Sequence, residues 1–152
     1  MSSNVSEARH RNMAAIRAKN TAPEMTVRRA LHAGGFRFRI HSKSLVGVPG
    51  IVLPKHHVTI FVNGCFWHCH ECSRFRWPQT RPDFWREKLH NNRARDLKVN
   101  RALWDGGWRI ATIWECSLIN ENRREMALAM LRDWIPQGGL ALVLDESIGL
   151  SD

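Results

Sequence analysis

Three cysteines and two histidines fall within the eight residues "CFWHCHEC" (65–72), at Cys65, His68, Cys69, His70 and Cys72. A fourth cysteine, Cys116, follows the apolar run "WRIATIW" (108–114). Thiolates and imidazoles at this density are what a zinc ion takes as ligands in a tetrahedral site. The preferred set is Cys65, His70, Cys72 and Cys116. A strand carrying "WRIATIW" can deliver Cys116 beside a loop that leaves a neighbouring strand. That choice leaves His68 and Cys69 for other work. The plainer alternative is a group of buried free thiols, because cysteine packs as a small apolar residue. It leaves the interleaved histidines unexplained.

Cys65, Cys69 and Cys72 also spell C-x3-C-x2-C, similar to the iron–sulfur motif of radical SAM enzymes, and three thiolates could hold a cluster. Those enzymes use a larger barrel with several βα units, and too few are evident here. Phe66 and Trp67 sit between the ligands, where they are either core residues or rings held for a purpose.

The chain carries 23 Lys and Arg against 14 Asp and Glu, a formal charge of +9 and a pI near 10.4. Such an excess suits a polyanion, since neutralising phosphates releases counterions. No stretch approaches the roughly 20 apolar residues of a membrane span. The first residues, "MSSNVSEARHRNM", lack the apolar core of a secretory signal, so a metal site in the cytoplasm is expected rather than disulfides.

The elements that must position these groups can be read in order. Residues 7–19 predict a basic helix with a thin apolar stripe at Met13 and Ile16. "TAPEMTVRRALHAGG" predicts a second helix, capped by Thr21, with Pro23 in its first turn, Glu24 closing a capping box and Gly34-Gly35 ending it. "FRFRI" (36–40), "IVL" (51–53) and "VTIFV" (58–62) read as strands, the last central. After the cysteine loop, Thr80, Pro82 and Asp83 open a long polar helix over about 81–105. "WRIATIW" is a further strand, and 122–134 an amphipathic helix. The residues after "PQGG" are weakly specified. The order predicts a mixed α/β layer: a basic arm at 1–20, one domain at 21–137 and a C-terminal tail at 138–152.

Several of these stretches together resemble the very short patch repair endonucleases of bacteria. They are "GCFWHCHEC", "TRPDFWREKLHNN" (80–92) and "GWRIATIWEC" (107–116), with "RHRNMAAIRAKNTAPE" (9–24) and "IVLPKHHVTIFVNG" (51–64). The resemblance runs from about residue 8 to about 135 in one order and spacing. It implies a restriction-endonuclease-like α/β core, a mixed sheet flanked by helices, with one structural zinc and a basic N-terminal helical arm. It implies a magnesium-dependent hydrolase that nicks one strand of duplex DNA 5′ of the thymine in a T:G mismatch. Such mismatches arise by deamination of 5-methylcytosine, and the nick starts very short patch repair. The implied partners are mismatched duplex DNA, mismatch-repair proteins and a repair polymerase. A single mismatch has no two-fold symmetry to demand a dimer, so a monomer is expected, at the nucleoid in the bacterial cytoplasm.

The same resemblance assigns residues. Phe66, Trp67 and Trp85 would enter the duplex beside the mismatch, where stacking is already poor and insertion costs less. Arg9, Arg11, Asn12, Arg17 and Lys19 would meet phosphates, and Met13 base edges. Glu24 would help hold metal-bound water, although the capping box competes for it. His68 would activate the attacking water, unless it is a zinc ligand. The backbone carbonyl of Val62 would hold magnesium.

Two positions depart from the family pattern. "G-x-P-D" reads "GVPG" (47–50), placing Gly50 where a metal-binding aspartate belongs. "HGCFWH" reads "NGCFWH" (63–68), placing Asn63 where a histidine belongs. Glycine offers no side-chain ligand, and asparagine cannot act as a base. The second expectation is therefore a catalytically impaired homologue that still binds mismatched DNA. On that view Gly50→Asp, alone or with Asn63→His, restores nicking. A third possibility is a zinc-braced DNA-binding protein with no preference for mismatches.

Overall fold

The computed structural model describes residues 20–149. The expected basic helix at 7–19, with Arg9, Arg11, Asn12, Met13, Arg17 and Lys19, lies outside the described residues.

Five strands form one sheet in the order of the chain. β1 (Arg39–Ile40), β2 (Ile51–Leu53) and β3 (Val58–Asn63) each run antiparallel to the next. β3, β4 (Arg109–Trp114) and β5 (Ala141–Leu144) run parallel. A parallel pair needs a long crossover. Helix α2 (Pro82–Asp105) supplies the one from β3 to β4, and α3 (Glu121–Gln137) the one from β4 to β5. Helix α1 (Ala22–Ala33) precedes the sheet. This is the mixed α/β core expected.

Local chemistry explains the boundaries. Thr21 caps α1 by accepting from the Glu24 amide at 3.4 Å, and Gly34 ends it. Asn120 caps α3 by accepting from the Arg123 amide at 3.0 Å. α2 has no such cap: Arg81, left-handed at φ 52°, precedes it, and Thr80 does not take the expected role. "FRFRI" pairs only at Arg39 and Ile40. In that register the partner of Arg37 would be Pro54, which lacks an amide hydrogen and opens a 3-10 turn at Pro54–His56. Phe36 and Phe38 pack instead against the main core.

That core joins Val27 and Leu31 of α1 and Ala127, Leu128, Leu131 and Ile135 of α3 to alternate residues of the sheet, among them Ile51, Leu53, Ile60 and Ile113. β3 is central, flanked by β2 and β4, which accounts for its continuous apolar run. A second, smaller cluster joins Trp67, Cys69, Phe75 and Leu89. The stretch expected to trail as a C-terminal tail instead supplies the edge strand β5, paired to β4 from Ala141 to Leu144. The Arg109 guanidinium secures that end by donating to the carbonyls of Trp134 (2.9 Å), Ile135 (2.7 Å) and Gly139 (2.9 Å). Among the described residues, no helix is long and apolar enough to cross a membrane.

Candidate metal centre and catalytic cleft

The parallel register of β3 and β4 pairs Asn63 with Trp114. Each strand is followed within two residues by a cysteine, so Cys65 and Cys116 emerge at the same end of the sheet. Between Cys65 and Cys72 the loop doubles back. The His70 amide donates to the Cys65 carbonyl at 2.9 Å, and Cys69 takes the left-handed φ of 55°. The result gathers Cys65, His70, Cys72 and Cys116, whose ligand atoms lie within 4.8 Å of one another. His70 Nδ1 stands 3.5 Å from Cys65 Sγ and 3.8 Å from Cys116 Sγ. Zinc bonded to sulfur and nitrogen at its usual lengths gives a tetrahedral N···S edge of about 3.6 Å, so the donor set fits that ion. Burial pushes the Cys65 thiol well up and that of Cys116 to about 11, with mutual repulsion adding at Cys65. Burial also lowers the His70 pKa, which keeps the imidazole neutral and ready to bind metal.

Cys69 turns away, 1% exposed, into the cluster with Trp67, Phe75 and Leu89. The three thiols of C-x3-C-x2-C are therefore not brought together, and the iron–sulfur alternative lacks its ligands.

His68 points away from the metal centre. Its Nδ1 lies 2.5 Å from Asp96 Oδ2 on α2. A carboxylate there fixes the Nδ1–H tautomer and leaves Nε2 as an acceptor. His68 lines an open cleft of about 590 Å³ with Glu24, Gly50, Val62, Asn63 and Glu115. Nothing in the sequence marks Asp96 or Glu115. Asp96 is one charge among many on a polar helix, and Glu115 carries no signal beyond its place between Trp114 and Cys116.

Glu24 is 8% exposed. Its Oε2 accepts from the Asn20 amide (3.2 Å), from Arg28 Nη2 (2.5 Å) and contacts His41 Nε2 (3.1 Å). Its Oε1 overhangs Gly50, where a Cβ would overlap it. The capping box is only half formed, since Glu24 accepts from the Asn20 amide and not from that of the cap residue Thr21. Oε2 is tied to the protein, and Oε1 is presented over Gly50, in a cleft that both residues line. Magnesium prefers oxygen donors. Glu24 and the Val62 carbonyl are of that type, but no carboxylate stands at residue 50 to add charge.

The three aromatic residues form one group. Phe66 meets Trp67 edge-on with centroids 5.1 Å apart, and Trp85 lies 5.5 Å from Phe66 and 6.0 Å from Trp67. Phe66 and Trp85 are partly exposed, whereas Trp67 is 6% exposed and belongs to the smaller core. Asn92 on α2 donates to the Trp67 carbonyl at 3.0 Å.

Comparison with known proteins decides the family. The family model for the DNA mismatch endonuclease Vsr matches residues 3–74. The type II nicking enzyme V.XorIIP of Xanthomonas oryzae pv. oryzae is 44% identical over 127 residues, covering 84% of this chain and 93% of that protein. This chain belongs to the Vsr endonuclease family. The DNA mismatch endonuclease Vsr of Escherichia coli K12 is 37% identical over 139 residues, covering 90% of this chain and 89% of that protein. The type II nicking enzyme V.NmeAIP of Neisseria meningitidis is 41% identical over 109 residues, or 72% and 78% of the two chains. Membership of the Vsr family makes the protein an endonuclease, and its core is of the restriction-endonuclease-like α/β kind.

Proposed function

We propose that this protein nicks one strand of duplex DNA 5′ of the thymine in a T:G mismatch left by deamination of 5-methylcytosine, and so starts very short patch repair. The observation that carries this reading is the His68–Asp96 pair at 2.5 Å, facing a cleft that also holds Glu24 and Val62. His68 Nε2 accepts the proton of the attacking water, while the Asp96 carboxylate balances the imidazolium that forms. Glu24 Oε1 orients that water. A divalent metal, here magnesium, would be held by Glu24 and the Val62 carbonyl, and when bound supplies neutralisation of charge on the phosphate. Zinc at Cys65, His70, Cys72 and Cys116 is structural, since four protein ligands close its sphere.

Recognition follows from the same corner. Phe66 and Trp85 are the exposed edge of an aromatic group backed by the buried Trp67. Insertion beside a mismatch exchanges their mutual contacts for base stacking, about 1–3 kcal/mol per base. The basic arm at 1–20, through Arg9, Arg11, Asn12, Arg17 and Lys19, grips phosphates, with Met13 at base edges. The protein acts as a monomer, because a single mismatch has no two-fold symmetry. Its compartment is that of its substrate, the bacterial cytoplasm and nucleoid, where mismatch-repair proteins and a repair polymerase would meet it.

A second reading, a mismatch binder of low turnover, is favoured by Gly50, by Asn63 and by the hold of Arg28 and His41 on Glu24. One assay addresses both. Single-turnover nicking and affinity are measured on T:G and fully paired duplexes at one salt concentration, with the zinc-loaded protein and with or without added magnesium. Magnesium-dependent nicking of T:G alone supports the endonuclease; T:G-selective affinity without nicking supports the binder. Equal affinity for both duplexes and no nicking would overturn both.

A further inference from the structure

The end of β5 reaches the metal centre. Its parallel pairing places Leu144 opposite Ile113, so Asp145 leaves the sheet at the end where Trp114 and Cys116 leave β4. Asp145 Oδ2 lies 3.7 Å from His70 Nε2. Nδ1 of the same ring faces the sulfurs of Cys65 and Cys116. The ring is also stacked on Trp114, centroids 4.1 Å apart and planes 11° from parallel. Stacking fixes the plane of the imidazole but not which nitrogen meets the metal. A carboxylate 3.7 Å from Nε2 bears on that choice, because its negative charge favours the Nε2–H tautomer and leaves the Nδ1 lone pair for the ion.

The neighbouring carboxylate grips the loop itself. Glu146 accepts from the amide of Ser73 at 2.6 Å and from its hydroxyl at 2.5 Å, immediately after Cys72. Asp145 is held in turn, since its Oδ1 accepts from the amide (2.8 Å) and hydroxyl (2.5 Å) of Ser147.

We infer that Asp145 is a positioning residue of the metal centre, selecting Nδ1 of His70 as the ligand, with Glu146 fastening the loop beside Cys72. The inference rests on the metal centre and not on the nuclease reading, and its test contains no cleavage step. The edge strand therefore does more than complete the sheet: it carries the outer support of a centre whose ligands come from β3, β4 and the loop between them. A bound zinc would place positive charge on the ring and make Nε2–H a stronger donor toward Asp145.

Zinc affinity is measured on the full chain by competition with a chromophoric chelator, for the wild type, Asp145→Asn, Asp145→Ala and Ser147→Ala. Removing such a carboxylate typically weakens metal binding about 10–100-fold. The expected order is wild type tightest, Asp145→Asn intermediate because the amide oxygen still accepts, and Asp145→Ala weakest. Ser147→Ala, which keeps the carboxylate and the amide bond to it but removes the hydroxyl bond, should lose less affinity than Asp145→Ala. Nitrogen NMR of the zinc-loaded wild type gives a reading that needs no variant: His70 should carry its proton on Nε2 and its metal on Nδ1. Asp145 variants that hold zinc as tightly as the wild type, a loss of equal size in Ser147→Ala, or metal on Nε2 would each overturn the inference.

Discussion

The carboxylate of Glu24 fills the space above Gly50 that any side chain at residue 50 would need. Glycine at this position and the inward pose of Glu24 are therefore one arrangement. The sequence suggested that Gly50→Asp would restore a metal ligand, but that change also adds a Cβ that collides with Oε1. The oxygen can move only by loosening its partner oxygen from Arg28, His41 and the Asn20 amide.

Gly50→Ala and Gly50→Asp should each destabilise the protein by about 1–3 kcal/mol, the usual cost of overpacking. In melts of the zinc-loaded protein run without added magnesium both should fall by several degrees. Magnesium should raise the aspartate variant again, by bridging two carboxylates, and leave the alanine variant unmoved. Equal melting of Gly50→Ala and wild type would show that Glu24 yields freely.

His68→Ala should lower single-turnover nicking by about 100-fold or more, the contribution of a general base. Asp96→Asn should lower it less, and neither change should alter affinity for mismatched duplex. Gel shifts beside the nicking assay separate the two effects; lost affinity in either variant would place these residues in binding instead.

Trp67 and Phe66 should separate stability from recognition. Trp67→Ala opens the smaller core, a change that costs about 3–5 kcal/mol in buried aromatic positions. Phe66→Ala should cost less stability, yet it should reduce the preference for T:G over paired duplex. Melting and competition binding on both variants check this, and an unchanged T:G preference in Phe66→Ala would remove the ring from recognition.

Acid should weaken the clasp between β5 and the metal loop. The hydrogen bonds from Ser73 hold the Glu146 carboxyl below its ordinary 4.5. A depressed carboxyl contributes stability above its unfolded pKa and loses it as pH falls through the folded value. The gap in melting temperature between wild type and Glu146→Gln should be open near neutral pH and close progressively below 4.5. A gap independent of pH would mean the charge is irrelevant to that contact.

Features written within a few residues could be read directly. The ligands Cys65, His70 and Cys72 share one short loop, the cap of α1 is a local pattern, and the apolar runs of β3 and β4 announce buried parallel strands. Even Cys116 followed from one inference, that two adjacent strands end together. β5 was not legible, because "ALVL" is short and follows two glycines, and only pairing to β4 makes it a strand.

The sequence alone determined the family and the class of fold, and it pointed to the four residues that gather in the candidate metal centre, since residue type and close spacing carry that information. Tertiary structure alone decided the partners. Asp96 meets His68 because α2 crosses back over the sheet, Asp145 meets His70 because β5 lies parallel to β4, and Glu24 fills the space over Gly50 because α1 packs beside β2 and β3. A side chain's charge is visible in a sequence, but what it neutralises depends on which distant backbone is folded against it.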